Sequence, residues 1–548
     1  MAPQQYKLKY NPVEVEKPGS KVEAEVEGVK DCKVLLVNVK GDLKAISPRC
    51  THYGAPLVKG VLTSDGRITC PWHGACFNTS TGDIEDAPAL DPLVPFKCTH
   101  KDGGVYIEAE EAALKAGRRL PKSAAVADAI TPNDHVLVVG GGAGGLGAVE
   151  GLREGGFKGK ITVLSKEAYP PIDRTKLSKA LLTDISKLAW RTEEFLKNEL
   201  HVDFQTGTEV TKIDHEKRTV TTSDGKTWSY TNIVLATGGT PRELPMPGFK
   251  GLGNVFTLRG VSTAKNIVDA TSGGKKQVVV IGSSFIGLEV ANALSKNHDV
   301  TVIGMESAPL ERVLGVEVGN KARRILEKAG IKFKLSANVE DAVSSLVAPG
   351  KVGGIKLKDG EIIPAEVVIL GVGVAPETTY LKNSGWQLEK DGSLVVDKNF
   401  AVKGVPNAYA VGDIAKYPYV FLDDAPVRIE HWNVALNAGR AVGRLLAGPS
   451  SNAGNTPVEF IPVFWSALGQ QVRYCGHPAT GFDEVIIKPD GAPDDKFIAY
   501  YAKGDKIVAV ATIGTDPVMI KAAELLRAYK FPSKTEIQQG VDILALPI

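Results

Sequence analysis

Cys50-Thr51-His52 and Cys70-Pro71-Trp72-His73 constrain this chain more than any other feature, because each stretch pairs one thiol with one imidazole. A two-iron cluster with two cysteines on one iron and two histidines on the other requires that split. The same residue types also bind Zn²⁺ as a staple in small domains. Zinc sites usually come as Cys-x-x-Cys with a separate His pair or a second Cys pair, whereas both halves here are mixed. The mixture favours an electron-carrying [2Fe-2S] cluster on Cys50, His52, Cys70 and His73.

Residues 20–107 read as short strands and turns. Lys33-Val34-Leu35-Leu36-Val37-Asn38-Val39 and Gly104-Val105-Tyr106-Ile107 are taken as alternating apolar and polar, with turns at Gly41-Asp42 and Asp65-Gly66, the pattern of a small all-β domain. Cys50-Thr51-His52-Tyr53-Gly54-Ala55-Pro56-Leu57 resembles the first cluster loop of the Rieske family. Cys70-Pro71-Trp72-His73-Gly74-Ala75-Cys76-Phe77 with Thr81-Gly82 resembles the second. Respiratory-type members add a disulfide between the loops, but Ala55 and Trp72 stand at those places. Ala75 and Phe77 stand where such members have Ser and Tyr hydroxyls near the cluster. Hydrogen bonds to cluster sulfurs raise the potential, so their loss implies the lower part of the Rieske range, about −150 mV rather than +300 mV. Such a centre suits reduction by NADH and flavin. Cys32, Cys76, Cys98 and Cys475 show no paired spacing and read as reduced structural thiols.

The chain's 548 residues are enough for three or four domains. With 65 basic against 63 acidic residues the net charge is +2, which gives no electrostatic case for nucleic acid. No apolar run approaches the ~18 residues of a membrane span, and Met1-Ala2-Pro3-Gln4-Gln5-Tyr6-Lys7 lacks a signal core, so no transmembrane segment and a cytoplasmic location are expected. A stretch rich in Ala, Lys and Glu over 109–132 reads as a linker with some helical character.

From His135-Val136-Leu137-Val138-Val139 the pattern becomes a buried strand entering Gly140-Gly141-Gly142-Ala143-Gly144-Gly145 and then a helix. The glycines of such a fingerprint allow the tight turn and close backbone approach, and the helix N-terminus faces a pyrophosphate. Glu167 follows the next strand, Lys160-Ile161-Thr162-Val163-Leu164, where an acid is expected for ribose hydroxyls. A second unit repeats the pattern: Gln277-Val278-Val279-Val280-Ile281, then Gly282-Ser283-Ser284-Phe285-Ile286-Gly287, then Val300-Thr301-Val302-Ile303 and Glu306. Ser284 replaces the middle glycine. Glu306 would repel a 2′-phosphate and favours NADH over NADPH, with Arg312 near enough in sequence to alter the pocket. Two complete units imply two dinucleotides.

The order of these pieces over residues 133–545 resembles the pyridine-nucleotide-dependent flavoprotein reductases, in the branch of apoptosis-inducing factor and the ferredoxin reductases. Val234-Leu235-Ala236-Thr237-Gly238-Gly239 is similar to the motif closing the first FAD half. Ala410-Val411-Gly412-Asp413 is similar to the segment whose Asp meets the ribityl chain, and Gly371-Val372-Gly373-Val374-Ala375-Pro376 to the end of the NAD domain. Arg174-Thr175-Lys176-Leu177-Ser178-Lys179 resembles R-P-P-L-S-K, whose Arg and last Lys touch FAD; Thr175 and Lys176 replace the prolines. Glu289 stands where the branch has an acid pairing with that Lys beside the flavin. Glu430-His431-Trp432 is similar to a stretch approaching the flavin, where Trp432 either stacks near the ring or serves as core, and Phe464-Trp465-Ser466 opens the C-terminal domain. Disulfide-reductase chemistry is set aside, since no cysteine lies between 98 and 475.

The resemblance implies a multidomain fold: an all-β Rieske domain (1–108), the linker (109–132), α/β FAD- and NAD-binding domains (133–249 with 377–455, and 250–376) and an α+β C-terminal domain (456–548). It implies an NADH-dependent FAD enzyme that passes single electrons to its cluster and on to an acceptor protein such as an oxygenase or other iron protein. Two alternatives remain at this stage: an NADH-sensing interaction or cell-death protein with slow turnover, and a direct reductase of a small acceptor such as nitrite or quinone. Transfer within one chain or across a homodimer is equally open.

Overall fold

The computed structural model describes residues 3–121, 131–382, 384–448 and 459–548. Six strands close an N-terminal barrel in the order Gln4–Lys9, Gly104–Ala109, Pro95–Lys101, Asp42–Ile46, Lys33–Val39 and Lys21–Val26. The strand Lys33–Val39 departs from the expected alternation: Val34 through Asn38 are all buried. Side chains on a strand alternate faces, so Val34 and Leu36 fill the barrel with Leu8, Phe96 and Ile107. Leu35 and Val37 instead pack with Leu57, Ile68, Phe77 and both Cys50 and Cys70. One strand therefore joins the barrel to the cluster-bearing layer, a four-stranded sheet of Val61–Leu62, Arg67–Thr69, Cys76–Asn78 and Ile84–Asp86. Of the stretch taken as a linker, Glu111–Ala116 is helical, and residues 122–130 lie outside those described.

The first fingerprint strand, Thr131–Val139, is central in a parallel sheet with Val202–Gln205, Gly159–Leu164, Asn232–Leu235 and Ala408–Ala410. The last strand returns from a distant part of the sequence, so this layer is built from two separated segments. A second parallel sheet orders Val255–Thr257, Val367–Leu370, Gln277–Ile281, Asp299–Ile303 and Lys332–Lys334. The inner strands Asn232–Leu235, Gln277–Ile281 and Val367–Leu370 are buried over nearly their whole length, as expected of a parallel sheet covered on both faces. Helix Ala143–Glu154 packs on helix Trp432–Leu446 along a glycine seam. A Cβ on Gly147 would stand 2.3 Å from the Leu436 carbonyl, and one on Gly439 2.0 Å from that of Gly144. This close approach fixes where Trp432 begins its helix.

The C-terminal sheet is antiparallel: Val463–Ala467, Gln471–Gly476, Lys506–Ile513, Phe497–Lys503 and Glu484–Lys488, with helix Val518–Arg527 against it. The cluster-bearing layer is docked on both neighbours by buried polar links. Ala87 N–H donates to Asn437 Oδ1 at 2.7 Å, and Thr69 Oγ1 donates to Glu524 Oε1 at 2.8 Å. Arg191 bridges Asp91 Oδ1 (2.8 Å) and the Leu90 carbonyl (3.0 Å) to Glu150 Oε1 (2.9 Å). Among the described residues no helix is long and apolar enough to cross a membrane.

Candidate functional site

The two cluster loops are conformational copies. Cys50 N–H donates to the Ala55 carbonyl at 2.9 Å and Cys70 N–H to that of Ala75 at 2.8 Å. Gly54 and Gly74 each turn back to their cysteine carbonyl with φ +78°, a region in which only glycine is unstrained. Because the histidine stands two places after Cys50 but three after Cys70, the imidazoles approach each other from opposite loops. His52 Nδ1 and His73 Nδ1 lie 3.1 Å apart, with ring centroids at 4.9 Å and planes at 78°. The Cys50 and Cys70 thiols are hydrogen-bonded to each other, and backbone N–H groups of His52, Tyr53, Trp72 and His73 point at the sulfurs.

Burial pushes His52 down to about 4, against the pull of Asp173. Burial, followed by the charges of His52, Arg473 and Lys179, pushes His73 down to about 2. Both rings are therefore neutral near pH 7, and their Nδ1 atoms face one place, as ligation of a common iron requires. The Cys50–Cys70 hydrogen bond raises the Cys50 thiol and lowers that of Cys70. The contacts come in pairs, thiol with thiol and imidazole with imidazole, which fits a two-iron group. Cys76 is fully buried with its Sγ 3.3 Å from Thr69 Oγ1, in keeping with a packing thiol.

The two fingerprints also fold alike. Gly140 (φ +112°) and Gly282 (φ +104°) make the turns, and a Cβ there would stand 2.3 Å from the Ala236 carbonyl and 2.4 Å from the Gly371 carbonyl. A Cβ on Gly145 or Gly287 would strike the carbonyl of Gly140 or Gly282 at 2.0 and 2.4 Å. A Cβ on Gly142 meets nothing, leaving room before the N-terminus of helix Ala143–Glu154, as a pyrophosphate cradle requires. Ser284 is accommodated because its Oγ donates to the Gly371 carbonyl at 2.8 Å.

Around the first cradle, Glu167 takes a two-pronged bond from Arg174 at 2.9 and 2.7 Å and a third from Tyr169 OH at 2.8 Å. Burial acts to raise the Glu167 carboxyl, but Arg174 outweighs it and holds it below the usual carboxylate range. Asp413 lies 3.6 Å from Arg259, which also stands against Gly238, and Thr237 Oγ1 donates to the Glu377 carbonyl at 2.6 Å. Lys179 Nζ sits 3.0 Å from Glu289 Oε1. Ser178 Oγ and Ser466 Oγ, the latter at 2.6 Å, both donate to the same buried carboxylate. Around the second cradle, Ser283 Oγ donates to Glu306 at 3.3 Å and Arg312 lies 3.1 Å from it; Gly373 takes φ +93° at the sheet edge. Ser178 and Ser466 lie within motifs that assign them no role, and Arg259 lies in none.

Aromatic rings connect the two halves. Trp190 stands 5.6 Å from His52 and 5.5 Å from Trp432, and Trp465 stands 4.3 Å from His73. Tyr53 stacks on His52 at 3.8 Å, and its hydroxyl donates to Asp173.

Residues 134–439 match the family described as pyridine nucleotide-disulphide oxidoreductase, and residues 8–101 match the Rieske [2Fe-2S] domain. The fold and site define an NAD(P)H-dependent FAD oxidoreductase with a [2Fe-2S] centre in the same chain. The chain belongs to the pyridine nucleotide-disulphide oxidoreductase family. It is 37% identical to apoptosis-inducing factor 3 of Homo sapiens over 511 residues, 92% of this chain and 82% of that protein. It is 32% identical to putidaredoxin reductase CamA of Pseudomonas putida over 387 residues, 70% of this chain and 89% of that one. The reductase in the covalent putidaredoxin reductase–putidaredoxin complex superposes with TM-score 0.68 at 29% identity, over 74% of this chain and 96% of that one.

Proposed function

We propose that this chain takes electrons from NADH, delivers them within a single chain to its own Rieske centre, and releases them singly to a separate acceptor protein. The flavin supplies conversion of a two-electron donor to one-electron transfers, and the cluster supplies a one-electron station. Cys50 and Cys70 would hold one iron and His52 and His73 the other. Gly140, Gly142, Ala143, Gly145, Glu167, Arg174, Ala236, Thr237, Gly238 and Asp413 would hold FAD; Gly282, Ser284, Gly287, Glu306 and Gly373 would hold NADH. Lys179 offers positive charge to the reduced ring, and Glu289, fixed by Ser178 and Ser466, keeps its ammonium in place. Glu306 turns away a 2′-phosphate.

The observation that carries the reading is the ring contact of both cluster histidines with tryptophans of the reductase body, Trp190 beside Trp432 and Trp465 beside His73. A similar reductase is captured in a covalent complex with putidaredoxin, and here a Rieske module occupies the same chain. Anaerobic titration of the holoprotein with NADH, followed by absorbance and EPR, tests the proposal. Flavin bleaching should be accompanied by a Rieske signal, and His73→Ala should keep the bleaching while losing reduction of a one-electron acceptor protein. Zinc in place of iron, or a cluster that stays oxidised under excess NADH, overturns it.

A further inference from the structure

We propose that Asp173 and Lys176, on the segment that leads into the FAD-side residues, set the reduction potential of the Rieske centre through Tyr53. This rests on the relay reading above. Tyr53 follows His52 in sequence and lies flat on it, with ring centroids 3.8 Å apart and planes at 15°. Its hydroxyl donates to Asp173 Oδ2. Asp173 is 2% exposed and held on three sides: its N–H donates to the Leu188 carbonyl at 2.7 Å, Thr175 Oγ1 donates to its Oδ1 at 2.6 Å, and Lys176 Nζ lies 3.5 Å from its Oδ2. Lys176 also stands over the Tyr53 ring at 5.1 Å.

The next residue, Arg174, is locked to Glu167 of the first nucleotide cradle. One short segment thus touches the stacking partner of a cluster ligand on one side and the dinucleotide cradle on the other. A centre that gains an electron gains negative charge. A carboxylate at the end of the Tyr53 ring opposes that gain and an ammonium favours it, and the effect is stronger for Asp173, which is buried, than for Lys176, which is partly exposed. Asp173 therefore lowers the potential and Lys176 raises it. A mere fastener between modules would give shifts of one sign, or none, whichever partner were removed.

The test is an EPR-monitored redox titration of holoprotein at one pH. Asp173→Asn keeps an acceptor oxygen for Tyr53 but removes the charge. It should raise the ratio of reduced to oxidised cluster at a fixed ambient potential about tenfold, ~59 mV for one electron. Lys176→Met should move the ratio in the opposite direction and by less, since Lys176 is partly exposed. Tyr53→Phe keeps the stack and breaks the hydroxyl link, and in that background the Asp173→Asn shift should shrink. Shifts of the same sign, no shift in either variant, or an undiminished Asp173→Asn shift without the hydroxyl overturns the proposal. Wild-type holoprotein without a Rieske signal overturns the relay reading and this proposal with it, whereas a normal signal with unmoved potentials overturns this proposal alone.

Discussion

His52 of the first cluster loop and Trp190 of the reductase body face each other at 27° between planes, 5.6 Å centroid to centroid. The sequence places them 138 positions apart, and the contact arises because Arg191, the neighbour of Trp190, is anchored between Asp91 and Glu150. The ring that meets His52 and the guanidinium that binds the modules together are therefore adjacent in one short loop. Positioning and docking share a single local cause.

Replacing Trp190 with Leu removes the aromatic bridge between His52 and Trp432 while retaining apolar bulk. NADH-driven flavin bleaching should keep its rate, and cluster reduction in stopped-flow should slow on the order of tenfold, equivalent to ~1.4 kcal/mol of barrier. Equal slowing of both phases would mean that Trp190 acts on the flavin site instead.

Arg191→Met leaves Asp91 without its buried partner, and Glu150 with only Arg440, which lies 3.0 Å away. Removing one partner of a buried ion pair costs about 3–5 kcal/mol. Because Arg440 still pairs with Glu150, the loss should fall near the lower figure. Chemical unfolding should show it, and limited proteolysis should cut the N-terminal module free earlier than in the wild type.

Much of this architecture is legible in the sequence. Strand, glycine turn, helix and acid recur twice because a tight turn needs positive φ at Gly140 and Gly282, and the chain has few other ways to make it. The mixed Cys and His loops are legible because ligand chemistry is written in residue type. Long-range meetings are not written that way. Ser178 and Ser466 reach the Glu289 carboxylate from 111 and 177 residues away, and Arg259 comes against Asp413 from another sheet connection. The glycine seam between Gly147 and Gly439 looks in sequence like ordinary helix content, because the requirement for it appears only when two backbones meet. Lys33–Val39 misleads for a related reason: a strand between two cores loses the alternation that betrays a strand with one wet face.

In the reading proposed above, Glu306 selects the nucleotide by charge. In Glu306→Gln the repulsion of a 2′-phosphate disappears and Arg312, now 3.1 Å from that carboxylate, is released to meet the phosphate. The ratio of kcat/KM for NADH over NADPH should favour NADH in the wild type and fall by on the order of tenfold in the variant, ~1.4 kcal/mol of discrimination. An unchanged ratio would place selection elsewhere in the second cradle.

Acid stability is set in part by His431, which is buried next to Phe464 at 4.7 Å and pushed down to about 3 by burial and then by His477. Its ordinary value is 6.5, so the unfolded chain binds a proton over the interval between 6.5 and about 3 that the folded chain refuses. Stability is therefore fully present above pH 6.5 and declines as pH falls toward 3, by up to ~1.4 kcal/mol per pH unit for such a group. His477 is also lowered by burial and adds to the decline. Urea unfolding at a series of pH values should show this slope in the wild type, and His431→Gln should flatten it by close to one proton's worth. A variant with the wild-type slope would assign the acid sensitivity to other groups.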